Sequence, residues 1–220
     1  GRRLRVGPGS TLDLNGRPVY VLDYVNAGGS VTGGVLTEVA PIESINATYL
    51  DSAFDPAGGD YGKGALTVAD SADVVVESAD GQQTYAGGGL SLTSSLYADA
   101  SLGGWAEGHF RGGLVTVSDA GGAALLTGGL ESLALREVTD GGGLLAGSGL
   151  FAVDGGLLEE AFLLPYGEVV QITFQLDPQD IDDFGTAFTG VSNVTFMPIP
   201  EPATLALLAA GGLGRRRRRG

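Results

Sequence analysis

The 220-residue chain has no cysteine, and only one histidine, one tryptophan, one methionine and one lysine. Each scarcity excludes something. Without cysteine there is no disulfide framework, no thiolate nucleophile and no Cys-ligated metal. With His109 alone, a histidine triad has a single candidate base and a multi-histidine metal site cannot exist. Positive charge is also scarce: 12 Lys+Arg face 26 Asp+Glu, for a net charge of −14. Such a chain repels phosphate backbones, which argues against nucleic acid as a partner. The opening GRRLRVGPG has arginines but no apolar run behind them, so it is not a secretory signal peptide. Residue 1 is Gly rather than Met, and the expectation is that a natural N-terminus with its signal peptide lies upstream.

Catalytic fingerprints are missing as well. Lys63 follows Gly62 but precedes Gly64, so no phosphate-binding loop forms around it. Gly147-Ser148-Gly149 lacks the frame of a G-x-S-x-G nucleophile elbow. His109 has Glu107 two residues before it and Trp105 two earlier still, and it reads as a structural or surface residue. The expectation is a protein that is not an enzyme and uses no cofactor.

Glycine and acid are abundant. The 39 glycines show no G-X-Y period, which excludes collagen, and 43% apolar residues are enough for a packed core. Strand-like runs follow one another, among them Ala65–Ala69, Val74–Glu77, Leu90–Thr93, Leu114–Val117 and Leu130–Val138. Val170-Gln171-Ile172-Thr173-Phe174-Gln175-Leu176 alternates strictly, which places Val170, Ile172, Phe174 and Leu176 on one buried face. Turn signals recur about every 10 residues, as in sandwiches and barrels. Gly87-Gly88-Gly89, Gly121-Gly122 and Gly141-Gly142-Gly143 read as turns between strands. Only Leu157–Leu164 has a helical texture, and Pro165 stops it. The fold class expected is all-β: a Gly-rich antiparallel, jelly-roll-like β-sandwich over residues 41–197. Residues 1–40 precede it as short strands and turns, readable either as the last coils of a β-solenoid or as hairpins. Residues 198–220 form a separate C-terminal segment.

Two further patterns carry little weight. The acids Asp177, Asp180, Asp182 and Asp183 make an oxygen-rich loop, a weak calcium candidate. The EF-hand spacing is absent, so the loop reads as solvated; Asp51, Asp55 and Asp60 are a looser set still. Asn46-Ala47-Thr48 and Asn193-Val194-Thr195 match the glycosylation sequon, a pattern too short to assign a function.

The C-terminal segment has three parts in fixed order. Prolines 198, 200 and 202 hold an extended peptide, with Pro200-Glu201-Pro202 at its centre. An apolar stretch follows: Ala203, Thr204, Leu205, Ala206, Leu207, Leu208, Ala209, Ala210, Gly211, Gly212 and Leu213. After Gly214 come Arg215, Arg216, Arg217, Arg218 and Arg219. Arginines flanking one end of an apolar segment hold that end on the cytoplasmic side, so everything upstream is placed outside. Residues 203–213 would span about 17 Å as a helix at 1.5 Å per residue, short of a hydrocarbon core near 30 Å. Snorkelling arginines and local thinning narrow that gap.

These three parts together resemble the PEP-CTERM sorting signal of Gram-negative and related bacteria. The resemblance covers the C-terminal segment alone, although the Gly-rich, Cys-free β-body has the texture of ectodomains that precede such tails. It implies a partner, an exosortase, which is an integral membrane cysteine peptidase. That peptidase would recognise Pro200-Glu201-Pro202 and remove the helix and the basic tail. The resemblance also implies hosts that make exopolysaccharide and biofilm. The expected function is that of an exported, non-catalytic cell-surface or extracellular-matrix protein. It is membrane-anchored through the apolar segment until it is processed, and exopolysaccharide is a further candidate partner. The alternative is a secreted carbohydrate-binding module or a sugar-active enzyme in the same matrix. That reading needs exposed aromatics beside paired carboxylates, and aromatics are only 7% of the chain.

Overall fold

Short alternating runs broken by glycine leave the backbone no way to satisfy its hydrogen bonds except between strands. The computed structural model describes residues 3–21, 23–139, 143–163, 169–178 and 181–199, and these are almost wholly β. The apolar segment 203–213 and the sorting tripeptide lie outside the described residues.

Six short strands come first: β1 (Arg3–Val6), β2 (Thr11–Asp13), β3 (Val19–Val21), β4 (Asp23–Asn26), β5 (Ser30–Thr32) and β6 (Leu36–Glu38). They pair in parallel, β1 with β4, β2 with β5 and β3 with β6. Each strand therefore meets its counterpart one coil later, the ladder of a three-sided β-solenoid. Val6 and Leu14 point inward and are buried. The Asn15-Gly16 dipeptide has φ of 51° and 77° and turns a corner of the coil. The Asn15 amide donates to Asp13 Oδ1 there at 2.9 Å.

The body is built from β7 (Ile42–Asp55), β8 (Ala65–Ser78), β9 (Gly81–Asp99), β10 (Glu107–Arg111), β11 (Leu114–Ser118), β12 (Ala124–Glu137), β13 (Leu145–Gly155), β14 (Val169–Pro178) and β15 (Phe188–Pro198). Every pairing among them is antiparallel. β10 and β11 lie end to end and share one position between β9 and β12. The order then runs β7, β8, β9, β10/β11, β12, β13, β14, β15 and returns from β15 to β7. The sheet is closed, an up-and-down barrel of eight positions. This differs from the jelly-roll sandwich expected from sequence, whose Greek-key crossings would separate chain neighbours. Here each strand pairs with the next in the chain, because the connections are short and closure leaves no edge to protect.

Inward positions are mostly apolar, with Ser52, Ser192 and Glu137 buried among them, and outward ones are mostly polar. Val170, Ile172, Phe174 and Leu176 are at most 1% exposed, while Gln171 and Gln175 face out. This alternation is the reverse of that in a lipid-embedded barrel, which is apolar outside. The interior is filled with rings. At one end Phe54 packs against Phe110, Phe184 and Phe188, with centroids 5.2–6.3 Å apart. Phe184 and Ile181 come from the loop between β14 and β15 and close that end. At the other end Phe151 meets Phe196 at 5.4 Å. There α1 (Glu159–Leu163) caps the barrel, its Phe162 fully buried.

The strands are longer than their sequence texture suggests. Asp70-Ser71-Ala72-Asp73 reads as a break, yet β8 runs straight through it. Gly87-Gly88-Gly89 lies inside β9 rather than in a turn. Gly87 has φ of 65°, a left-handed kink next to the point where the β8–β9 register shifts. Gly121-Gly122 does form a turn, with Gly121 and Ala123 amides bonded to Asp119 Oδ1 at 2.9 Å.

Gly147, on the inward face of β13, is one of the points where neighbouring backbone comes too close for a side chain. A Cβ there would coincide with the Ala134 carbonyl oxygen of β12. Gly147→Val should therefore push β12 and β13 apart and destabilise the protein by about 3 kcal/mol or more, the upper range for overpacking. Urea unfolding monitored by circular dichroism checks this. A cost under about 1 kcal/mol would show that the ladder yields easily.

Candidate functional site

Three places bring chemically active side chains together, and the barrel's pairing explains each. The first surrounds His109. Positions 107 and 109 share the outward face of β10, so the His109 imidazole reaches Glu107 Oε1 at 3.1 Å. Glu107 Oε2 also meets Arg136 Nε at 3.7 Å, because Glu107 and Arg136 are register partners across β10 and β12. The imidazole thus has a carboxylate partner, and no hydroxyl is bonded to it among the described residues. Trp105 sits on a small hairpin closed by the Leu102–Trp105 bridge, with the Arg136 guanidinium 5.9 Å from its ring centre.

The second place is a hollow of about 690 Å³ on the outer wall, crossing β8, β7, β15 and β14. Register sets Asp51 and Asp177 on either side of Val191. Thr67 and Thr189 add hydroxyls, and Ala53, Ala69 and Gly190 keep the hollow open, while the Ser52 hydroxyl turns inward to Ser192 Oγ at 2.7 Å. Both carboxylates are exposed, and among the described residues no ring lines the hollow.

The third is the acidic loop. Ile181 and Phe184 are its buried members, while Asp182 and Asp183 face solvent. Asp183 Oδ1 accepts from the Gly185 amide at 2.8 Å, an Asx turn. Asp177 belongs to the hollow instead, and Asp180 lies outside the described residues. Among the described residues no three His, Asp or Glu side chains gather as metal ligands. The sequon asparagines are held by local bonds. Asn46 donates to Ser44 Oγ at 2.9 Å and accepts from Thr195 Oγ1 at 2.8 Å. Asn193 Oδ1 accepts from the Tyr49 amide at 3.1 Å.

The barrel also fixes where the chain enters and leaves. β7 begins at Ile42 and β15 finishes at Pro198. These two strands are paired neighbours, with Phe196 opposite Ile45. The solenoid coils and the C-terminal segment are therefore joined to one end of the barrel, the end capped by α1. Residues 198–219 match the family model of the PEP-CTERM protein-sorting motif. The chain carries a PEP-CTERM sorting signal. The signal marks an exported protein that is sorted by an exosortase. It begins at the last residue of β15, so the sorting tripeptide follows directly on a structured strand. Neither the curated proteins nor the solved structures give a match. Among the described residues no helix is long and apolar enough to cross a membrane.

Sequence reasoning weighed His109, with Glu107 and Trp105 beside it, as a structural or surface residue, and it marked the sorting segment. It passed over the hollow, because Asp51 and Asp177 are brought together only by a register that spans most of the chain.

Proposed function

We propose that the protein is a non-catalytic component of a bacterial cell surface or extracellular matrix, held in the membrane by its PEP-CTERM segment until an exosortase releases it. In this reading residues 203–213 enter the bilayer, Arg215–Arg219 stay in the cytoplasm, and the solenoid coils and barrel are outside. The observation that carries the reading is the sorting signal placed directly after the closing strand of a barrel packed with side chains. A barrel that carries a small ligand needs interior space, and this interior is occupied by phenylalanines. The polymer met outside is exopolysaccharide, the material of a biofilm matrix.

A sugar-active enzyme is the second reading, favoured by the Asp51–Asp177 hollow. Opposed carboxylates about two strand spacings apart, roughly 10 Å, sit near the upper limit for inverting glycosidases. A general acid needs a carboxyl shielded from water and a sugar ring needs a platform. The hollow supplies neither.

The test is mass spectrometry of the mature C-terminus, in an exosortase-bearing host that exports the chain behind a signal peptide. The expected product lacks Arg215–Arg219 and terminates near Pro200-Glu201-Pro202. Glu201→Ala should leave nearly all of the protein full-length and membrane-bound. Extracellular protein that still carries the arginines would refute the sorting reading.

A further inference from the structure

Between residues 41 and 197 the chain has three Lys and Arg, one His and one Trp, namely Lys63, Arg111, Arg136, His109 and Trp105. They lie on one strip of the outer wall, although they come from three separate stretches of chain. The links are continuous. Trp105 lies beside Arg136, Arg136 reaches Glu107, and Glu107 binds His109. The His109 ring is 6.1 Å from Tyr97, and Tyr97 is 6.4 Å from Tyr61. The Arg111 guanidinium lies 4.5 Å over the Tyr97 ring, and Lys63 Nζ donates to the Tyr97 carbonyl at 3.0 Å.

Glu107 engages His109 and Arg136. Lys63 and Arg111 have no carboxylate partner among the described residues. Guanidinium stacked on a ring keeps its edge donors free for an anion. Asp60, next to Tyr61 in the chain, and Asp99, two residues past Tyr97, are exposed acceptors near the strip, although Asp99 Oδ1 already takes the Ser101 amide at 3.0 Å. The strip lies at the barrel end formed by the β7–β8 and β9–β10 loops. Both the coils and the sorting signal are joined to the opposite end.

We propose that this strip binds an acidic polysaccharide, a chain of pyranose rings carrying carboxylates. Half-exposed rings stack on pyranose faces, unpaired cations take the carboxylates, and Asp60, Asp99 and Glu107 accept from sugar hydroxyls. On a chain with net charge −14 this is the stretch of barrel wall where an anion finds cations. The proposal rests on the matrix reading above and adds the site and the ligand class to it.

The experiment uses the intrinsic reporter, Trp105, the single tryptophan of the chain. The full chain carries Arg215–Arg219→Gln in every arm, so that the tail does not attract polyanions itself. Polygalacturonate is titrated while tryptophan emission is followed. A saturable change is expected, weakened about tenfold by Arg111→Ala and about threefold by Lys63→Ala, in line with the loss of one charge-assisted contact. Arg111→Lys, which keeps the charge and loses the planar stack, should fall between. Arg17→Ala, in the solenoid coils, should bind like the parent. Dextran tests rings without charge and polyglutamate tests charge without rings; both should bind at least tenfold more weakly. Equal binding by polyglutamate, which would point to an acidic protein partner, overturns the proposal. So does unaltered affinity in Arg111→Ala with its circular dichroism intact, or no response to polygalacturonate. Failure here with a correctly trimmed C-terminus removes only this site. Arginines retained on extracellular protein would remove the matrix reading itself.

Discussion

Phe54→Ala should lower the stability of the protein by about 3–5 kcal/mol, the range for deleting a buried phenylalanine. The ring is 1% exposed and touches Phe110, Phe184 and Phe188 at once. Two of these contacts are edge-on, at interplanar angles of 87° and 82°, and such pairs contribute beyond their buried area. For a chain of this size, each kcal/mol lowers the midpoint by about 2–4 °C, so a fall of about 10 °C or more is expected. The void would also loosen the loop that carries Phe184, since that ring seats against Phe54 and Phe110. Hydrogen exchange in residues 181–187 should rise more than exchange in β13. Phe54→Leu, which keeps most of the volume, should cost well under half as much. Phe184→Ala shares the same cluster, so the double variant should be less destabilised than the sum of the two single ones. Thermal and urea unfolding measure all four variants. A drop below about 1 kcal/mol for Phe54→Ala would mean that the aromatic end does not hold the barrel closed.

Local patterns in the sequence carried far, and nonlocal ones did not. Val170–Leu176 alternates so strictly that its buried face follows from the letters, and the barrel buries that face. A one-residue slip would have turned Gln171 and Gln175 inward. Leu157–Leu164 is visible as a helical turn because Pro165 stops it, and α1 lies within that stretch. Strand length was harder to read. Asp70 and Asp73 are turn formers by propensity, but the wall of a closed barrel has a wet outer face where acids are tolerated mid-strand. Gly147 and Gly149 look like loop residues, yet they permit close approach of β12 and β13. Closure itself has no local signal, because it depends on Phe196 meeting Ile45 across most of the chain. For the first coils the letters left two readings, solenoid or hairpins, and only the parallel ladders decide for the solenoid, since about forty residues are too short to show a repeat period. Among the candidate sites, Glu107 and His109 were legible as an i, i+2 pair on a strand. Lys63, Arg111 and Tyr61 reach the same strip through loop placement and strand pairing, which spacing does not encode.

Replacing Arg215–Arg219 by glutamine should abolish orderly processing, with the correctly trimmed fraction falling at least about tenfold. Charge asymmetry is the physical reason. Lys and Arg within about 15–20 residues of an apolar segment set its orientation. On the N-terminal side of residues 203–213 the nearest basic residue is Arg136, far outside that window. The five arginines are thus the whole signal, and removing them leaves no bias. They also have a second physical role. In the proposed anchored state a helix over residues 203–213 would measure about 17 Å against a hydrocarbon core of about 30 Å, and would depend on side chains that snorkel to the interface. Without them the segment should slip through, and full-length protein should appear outside the cell. Arg215–Arg219→Lys separates charge from side-chain identity, because lysine counts equally in the topological bias and snorkels as well. Processing in that variant should stay within about twofold of the parent. The measurement is cell fractionation followed by mass spectrometry of the C-terminus, in the same exosortase-bearing host for all three chains. Loss of processing in the lysine variant would show that the tail is read through guanidinium-specific contacts, and the electrostatic account of its role would fall.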